Sequence, residues 1–338
     1  MQTSFERVPD INDVRAAGER IATAIRTTPL LENVLLNQRV GRRILVKAEC
    51  LQITGAFKLR GAWSALTSLT AEQRKHGVVA YSSGNHAQAV AYSASCLQIP
   101  AVIVMPANAP ALKLANTRAY GAEVVLYDRA GGEDREAVGA AIAAERNLTL
   151  VKPYDNTQVI AGQGTCGLEI AAQATALGID QADVLVCCGG GGLSSGIALA
   201  LAADAPALRV WPVEPVHYDD VQRSLQSGKR EYLKDNLPGS ICDAIVTPSP
   251  GELTFPILSE HCTAGLTVTD LECQQAIAVA STYFKLVVEP GGAAALAAAL
   301  FRADELPHTT SISTLSGGNV DAEMLAESLA VPIDWQAM

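Results

Sequence analysis

The chain is poor in aromatic residues: Phe, Trp and Tyr supply 5% of its 338 positions, and Met only four. Its interior must therefore be filled by small aliphatic side chains, which suits closely packed helices. Charge is also sparse at 18%, and the balance is acidic, −10 at neutral pH. That argues against a nucleic-acid partner, because phosphate backbones are held by clustered Lys and Arg. No basic start followed by an apolar stretch opens the chain, so no signal peptide is expected. The longest apolar run, about 291–301, is too short to span a bilayer. These absences point to a soluble, cytoplasmic protein without a membrane partner. Eight cysteines occur without CxxC or zinc-knuckle spacing, and the one close pair, Cys187 and Cys188, sits inside an apolar run. They read as small buried hydrophobes in a reducing compartment.

What is present is alternation. Apolar runs at 44–49, 78–82, 101–105, 123–127, 148–151, 184–188, 209–214 and 311–315 read as strands. Most are continuous rather than alternating, as expected of strands covered on both faces. Helical patterns lie between them; Asp10 caps one whose face carries Ile11, Val14, Ala17, Ile21 and Ile25. The pattern predicts an α/β fold with mainly parallel sheets, an architecture that admits many functions.

Four segments carry chemistry. In Thr54-Gly55-Ala56-Phe57-Lys58-Leu59-Arg60-Gly61, a lysine opens a predicted helix. The helix field disfavours a cation there and lowers the amine's pKa, which suits an amine that must attack an aldehyde. An exposed surface lysine fits this segment alone equally well. In Tyr81-Ser82-Ser83-Gly84-Asn85-His86, small hydroxyl residues and a glycine at a helix start can receive a carboxylate. His86, read singly, is a satisfied polar residue near the core. Gly189, Gly190, Gly191 and Gly192, between an apolar run and an Ala/Leu helix, can aim several N–H groups at one phosphate. The loop lacks the Gly-Lys-Ser/Thr ending of a Walker loop and fits GxGxxG poorly. In the last segment, Ser316-Gly317-Gly318-Asn319, a hydroxyl follows a strand where ligands of open α/β sheets gather.

Together and in this order, these segments resemble the fold-type II pyridoxal-phosphate (PLP) enzymes, and within them the serine/threonine dehydratases and serine racemase. The similarity runs from about Thr28 to Asp321 and includes Glu289-Pro290-Gly291-Gly292-Ala293. The resemblance implies two open, mainly parallel sheet domains of the tryptophan synthase β kind, with the cofactor in the cleft between them. A large domain of 1–70 and 158–338 and a small mobile one of 71–157 are expected.

The resemblance also implies roles. Lys58 would hold PLP covalently, Phe57 would pack on its ring, and Asn85 would bond the ring hydroxyl. Glu289 would line the cofactor site, the four glycines would cradle the phosphate, and Ser316 would face the pyridine nitrogen. Ser82, Ser83, Gly84, His86 and Arg135 would meet the substrate, with Ser83 the second acid/base where racemisation occurs. Glu214, the Tyr218 carbonyl and Asp220 match the family's Mg²⁺ or Ca²⁺ ligands, hard oxygen donors all. A homodimer acting on a small amino acid is implied.

The implied reaction removes the β-hydroxyl of an amino acid such as threonine or serine, giving a 2-keto acid and ammonia. Ile53, Ala56, Ala87 and Ala244 depart from the residues common at their positions. They weaken the case for plain threonine, so 3-hydroxyaspartate, phenylserine and a hydroxyectoine-derived amino acid stay open, as does racemisation. Cysteine and threonine synthases usually continue Lys-Asp-Arg and read Ser-Gly-Asn-Thr, whereas this chain has Lys58-Leu59-Arg60 and Asn85-His86. A non-catalytic phosphate-metabolite-binding protein is the rival from outside enzymology, and it leaves Lys58 without a task. The chain ends soon after Asn319, without a C-terminal regulatory domain, which suits a catabolic role.

Overall fold

A computed structural model describes residues 6–338 except Ser83, Pro110, Arg129, Ala130, Asp235 and Asn236. The elements run α1 (Ile11–Ile21), β1 (Leu30–Glu32), α2 (Val34–Val40), β2 (Arg43–Lys47), α3 (Lys58–Ser68), α4 (Ala71–His76), β3 (Val78–Tyr81) and α5 (Asn85–Leu97). They continue with β4 (Ala101–Pro106), α6 (Ala111–Ala119), β5 (Glu123–Tyr127), α7 (Arg135–Arg146), β6 (Thr149–Leu150) and α8 (Thr157–Ala176). Then come β7 (Ala182–Cys187), α9 (Gly192–Asp204), β8 (Leu208–Pro215), α10 (Asp220–Ser227), α11 (Thr254–His261) and β9 (Leu266–Val268). The last are α12 (Asp270–Val279), α13 (Pro290–Phe301), β10 (Thr310–Thr314) and α14 (Ala322–Ala330).

Two sheets result. One has the order β1-β2-β10-β7-β8-β9, parallel throughout except for the antiparallel edge strand β1. The other is all parallel, in the order β5-β4-β3-β6. All eight expected strands are present within a few residues of their predicted ends.

Strand β7 shows why its run reads as continuous: every residue is buried, but on alternate faces. Val184 and Val186 join the core formed with α8 and α9, and Leu185 and Cys187 the core formed with α12 and α13. The smaller sheet is likewise covered on both faces. Val78, Ala80, Ile103 and Met105 pack with α3 and α5, and Val79, Tyr81, Val102 and Val104 with α7. Helix α1 starts at a capping box in which Asp10 and Asp13 each accept from the other's backbone. Its buried stripe is Val14, Ala17 and Ile21; the helix ends there, so Ile25 lies beyond it.

The cysteine expectation holds for Cys166, Cys187, Cys188, Cys242 and Cys273, which are buried. Cys96 is exposed, because it falls on the outer face of α5, and Cys50 and Cys262 are half-buried. No helix of the described residues is long and apolar enough to cross a membrane.

Candidate active site

The loops after β3, β7 and β10 leave the carboxyl ends of their strands and line one cavity, where ligands of open parallel sheets bind. It gathers Phe57, Lys58, Ser82, Gly84, Asn85, His86, Arg135, Gly189, Gly190, Gly191, Gly192, Glu289 and Ser316. Ser83 lies outside the described residues.

Lys58 is the first residue of α3, reached from β2 through a short 3-10 turn rather than directly from the strand. Its amine donates to the Pro153 carbonyl at 2.8 Å and lies 5.0 Å from the centre of the Phe57 ring. Burial, and after it the Arg135 charge, push its pKa down to about 8, against the pull of Glu289. The lowering expected from the helix field thus has a different main origin, the desolvation of the ammonium.

The glycine loop turns at Gly191, whose φ is +92°, and enters α9 at Gly192. The first N–H groups of a helix have no partners within it. The Gly190 carbonyl is tied outward, accepting from the Thr254 hydroxyl at 2.7 Å and the Gly251 N–H at 3.1 Å. A Cβ at Gly190 would lie 2.3 Å from the Tyr154 ring, so the backbone comes close to the cavity only because no side chain is there. A phosphate-sized anion fits this cradle, and the lysine opposite fits a cofactor aldehyde.

His86 does not remain the satisfied core residue expected of it alone. Its Nε2 meets the Val151 carbonyl at 2.9 Å, so that nitrogen carries the proton. Burial and the Lys58 charge push its pKa down to about 3, so the ring is neutral, and buried Nδ1 is an acceptor without a partner among the described residues. Arg135 opens α7 behind the Asp134 cap, with its guanidinium 5.8 Å from the centre of the Tyr81 ring. It makes no ion pair among the described residues.

Two lining residues, Tyr154 and Thr247, escape sequence reasoning. Tyr154 walls the glycine loop, and burial pushes its hydroxyl up to about 12. Thr247 holds a buried hydroxyl without a partner among the described residues. Ala244, one of the departures from the family's residues, lines the cavity with Asp243. Tyr154 and Thr247 lie in segments without a sharp motif; only Pro153-Tyr154 just before the Asn156 helix cap hints at a constrained turn.

The expected cation ligands lie apart from this cavity. Glu214, at the end of β8, is buried and accepts from the N–H groups of Val221 and Gln222, both at 2.8 Å. Asp220, at the start of α10, is buried, and neither carboxylate oxygen is hydrogen-bonded among the described residues. Burial raises both acids, Asp220 to about 7. The Tyr218 side chain turns away, donating to the Pro238 carbonyl at 2.9 Å, which leaves its backbone for the expected role. Among the described residues no cluster of three or more His, Cys, Asp and Glu could hold a metal. The expected set has two carboxylates and one backbone carbonyl. Two buried, uncompensated carboxylates fit a hard divalent cation.

Residues 21–317 match the family described as pyridoxal-phosphate-dependent enzyme. The chain belongs to that family. It is 43% identical over 320 residues to an L-threo-3-hydroxyaspartate ammonia-lyase of Saccharomyces cerevisiae, covering 94% of this chain and 96% of the relative. A serine racemase of Schizosaccharomyces pombe is 40% identical, covering 96% of this chain and 98% of its own. Among solved structures, a threonine deaminase from T.th. superposes with a TM-score of 0.85 at 45% identity, covering 93% of this chain and 99% of that one. The fold is thus the fold-type II architecture that the sequence resembles.

Proposed function

We propose that the chain is an ammonia-lyase acting on a β-hydroxy amino acid that carries a second carboxylate, of the 3-hydroxyaspartate type. Arg135 carries the substrate choice: a guanidinium lining the same cavity as Lys58 and making no ion pair among the described residues. Such a guanidinium is suited to bind a planar carboxylate through two parallel N–H bonds. The partnerless Thr247 hydroxyl lines the cavity too and can add a donor. The name of the Saccharomyces relative supports the same substrate class.

PLP, when bound, supplies an electron sink for the pair released at the substrate's Cα. Its phosphate would be held by the N–H groups of Gly189 to Gly192, with Phe57 against the ring, Asn85 and Glu289 near the ring oxygen, and Ser316 near the ring nitrogen. Lys58 would hold the cofactor covalently and take the Cα proton, tasks suited to an amine whose pKa is about 8. Ser82, Ser83 and Gly84 hold the α-carboxylate at the start of α5, and His86 Nδ1 accepts from a substrate donor. Loss of the β-hydroxyl as water would leave an enamine, whose imine tautomer is hydrolysed by water to a 2-keto acid and ammonia. Glu214, Asp220 and the Tyr218 carbonyl hold Mg²⁺ or Ca²⁺, a reading supported by the two partnerless Asp220 oxygens.

In this reading 71–157 is the small mobile domain, and 1–70 with 158–338 the large one. The functional unit is a cytoplasmic homodimer, supported by exposed Val34 and Leu35 beside the edge strand β1. Racemisation is a second reading, favoured by the Schizosaccharomyces relative's name and dependent on Ser83.

The test is to incubate the PLP- and Mg²⁺-loaded protein with L-threo-3-hydroxyaspartate, L-threonine and L-serine, assaying ammonia and 2-keto acid together. Equal release of both is expected, with the largest kcat/KM on hydroxyaspartate and no activity in Lys58→Ala. A loaded protein that releases neither product from any of the three refutes the reading.

A further inference from the structure

We infer that Asn319 is a positioning residue that, together with Glu289, sets which end of the Asn85 amide faces the cofactor cavity. A backbone carbonyl can only accept. Asn319 Nδ2 donates to the Thr54 carbonyl at 2.9 Å, and that contact fixes the orientation of the Asn319 amide. The same Nδ2 donates to Asn85 Oδ1 at 2.7 Å, so the acceptor end of Asn85 points at Asn319. Asn85 Nδ2 is therefore turned the other way, where one of its hydrogens meets Glu289 Oε1 at 2.5 Å. An amide nitrogen carries two hydrogens, and the second is left to a group bound in the cavity that Asn85 and Glu289 both line.

The order of the chain makes room for this relay. Asn85 belongs to the helix after β3 of the smaller sheet, whereas Glu289 and Asn319 flank α13 and β10 at the larger sheet. They meet at Gly317, where a Cβ would lie 2.0 Å from Glu289 Oε1 and 3.0 Å from Asn85 Nδ2. Asn85 thus presents a donor, and a ring oxygen beside it is favoured in its ionised form. The inference rests on the reading that PLP occupies this cavity with Asn85 at its ring oxygen.

The test compares holoenzymes of the wild type, Asn319→Asp, Asn85→Ala and the double variant, following the visible absorbance of the lysine-bound cofactor against pH. A carboxylate at 319 has no donor for Asn85 Oδ1 and repels it, so the Asn85 amide is driven from its place between Asn319 and Glu289 and its N–H leaves the ring oxygen. The absorbance midpoint should then rise by about one pH unit, the size expected for one hydrogen bond to a charged group. Asn85→Ala should give a similar rise, and the double variant no more than Asn85→Ala alone. Additive shifts, or a wild-type midpoint in Asn319→Asp, overturn the inference. Asn319→Ser, which keeps a donor for Asn85 Oδ1, should restore most of the wild-type midpoint; failure to do so also counts against the relay. A wild-type protein that takes up PLP without a Lys58-dependent chromophore overturns the cofactor reading itself.

Discussion

Two of the buried groups of charges among the described residues are finished to different degrees. Behind the lysine helix, Arg60 forks onto two carboxylates, with Glu49 at 2.7 and 2.8 Å and Glu169 at 2.7 and 2.9 Å. Lys47 closes the set on Glu169 at 2.6 Å, and Thr28 donates to Glu49. Two cations meet two anions, and Arg60 and Glu49 are fully buried. At the end of β8, by contrast, Glu214 and Asp220 are buried acids, and Arg223, the cation whose charge acts on Asp220, is paired with Asp219 at 3.3 Å. The first cluster is complete as folded, which suits a structural role. The second is incomplete, and an uncompensated pair of carboxylates is unfavourable enough that a cation is the natural partner.

The contrast between the two clusters breaks most severely at Arg60. Arg60→Met leaves Glu49 and Glu169 without their forked partner, and we expect a loss of about 3–5 kcal/mol in unfolding free energy, read by urea denaturation. The same operation at the other site should behave oppositely. Asp220→Asn removes an uncompensated charge and should leave the cation-free protein as stable as the wild type or more so. Mg²⁺ or Ca²⁺ should raise the wild-type melting temperature, by the equivalent of about 2.7 kcal/mol at roughly a hundred times its dissociation constant. That rise should vanish in Asp220→Asn; a variant that keeps it would put the cation elsewhere.

A smaller effect concerns Lys58, which is buried without a carboxylate hydrogen-bonded to it. Labelling of its amine in the cofactor-free protein should reach half its maximal rate near pH 8, and Arg135→Met should move that midpoint up. The folded-state pKa lies below the ordinary 10.5, so between about 8 and 10.5 the unfolded chain binds more protons. Lys58 then contributes stability that grows as pH rises through that window and is at its lowest below pH 8. A midpoint near 10.5 would mean that the amine is solvated.

Much of this was legible because local chemistry and topology agree. Continuous apolar runs announce strands covered on both faces, and eight were found; β1 and β9 were missed because three-residue edge strands carry no usable period. The glycine loop and Ser316 were readable because each sits where a strand gives way to a ligand-binding loop, and Lys58 because it opens a helix. Tyr154 and Thr247 were not, since they come from unremarkable loops and acquire meaning only in the cavity they share with Gly190 and Lys58. His86 shows the limit from the other side: its neutral state and free acceptor depend on the Val151 carbonyl, 65 residues away.

The measurement that tests the account most directly is the ratio of kcat/KM for L-threo-3-hydroxyaspartate to that for L-threonine, in the wild type and in Arg135→Met. A guanidinium reserved for a second carboxylate predicts a wild-type ratio above one. Loss of that charge-assisted bond, about 1.5–3 kcal/mol, should cut the ratio roughly tenfold or more, chiefly through the hydroxyaspartate term. An unchanged ratio in the variant would contradict the account, because Arg135 would then play no part in choosing the substrate.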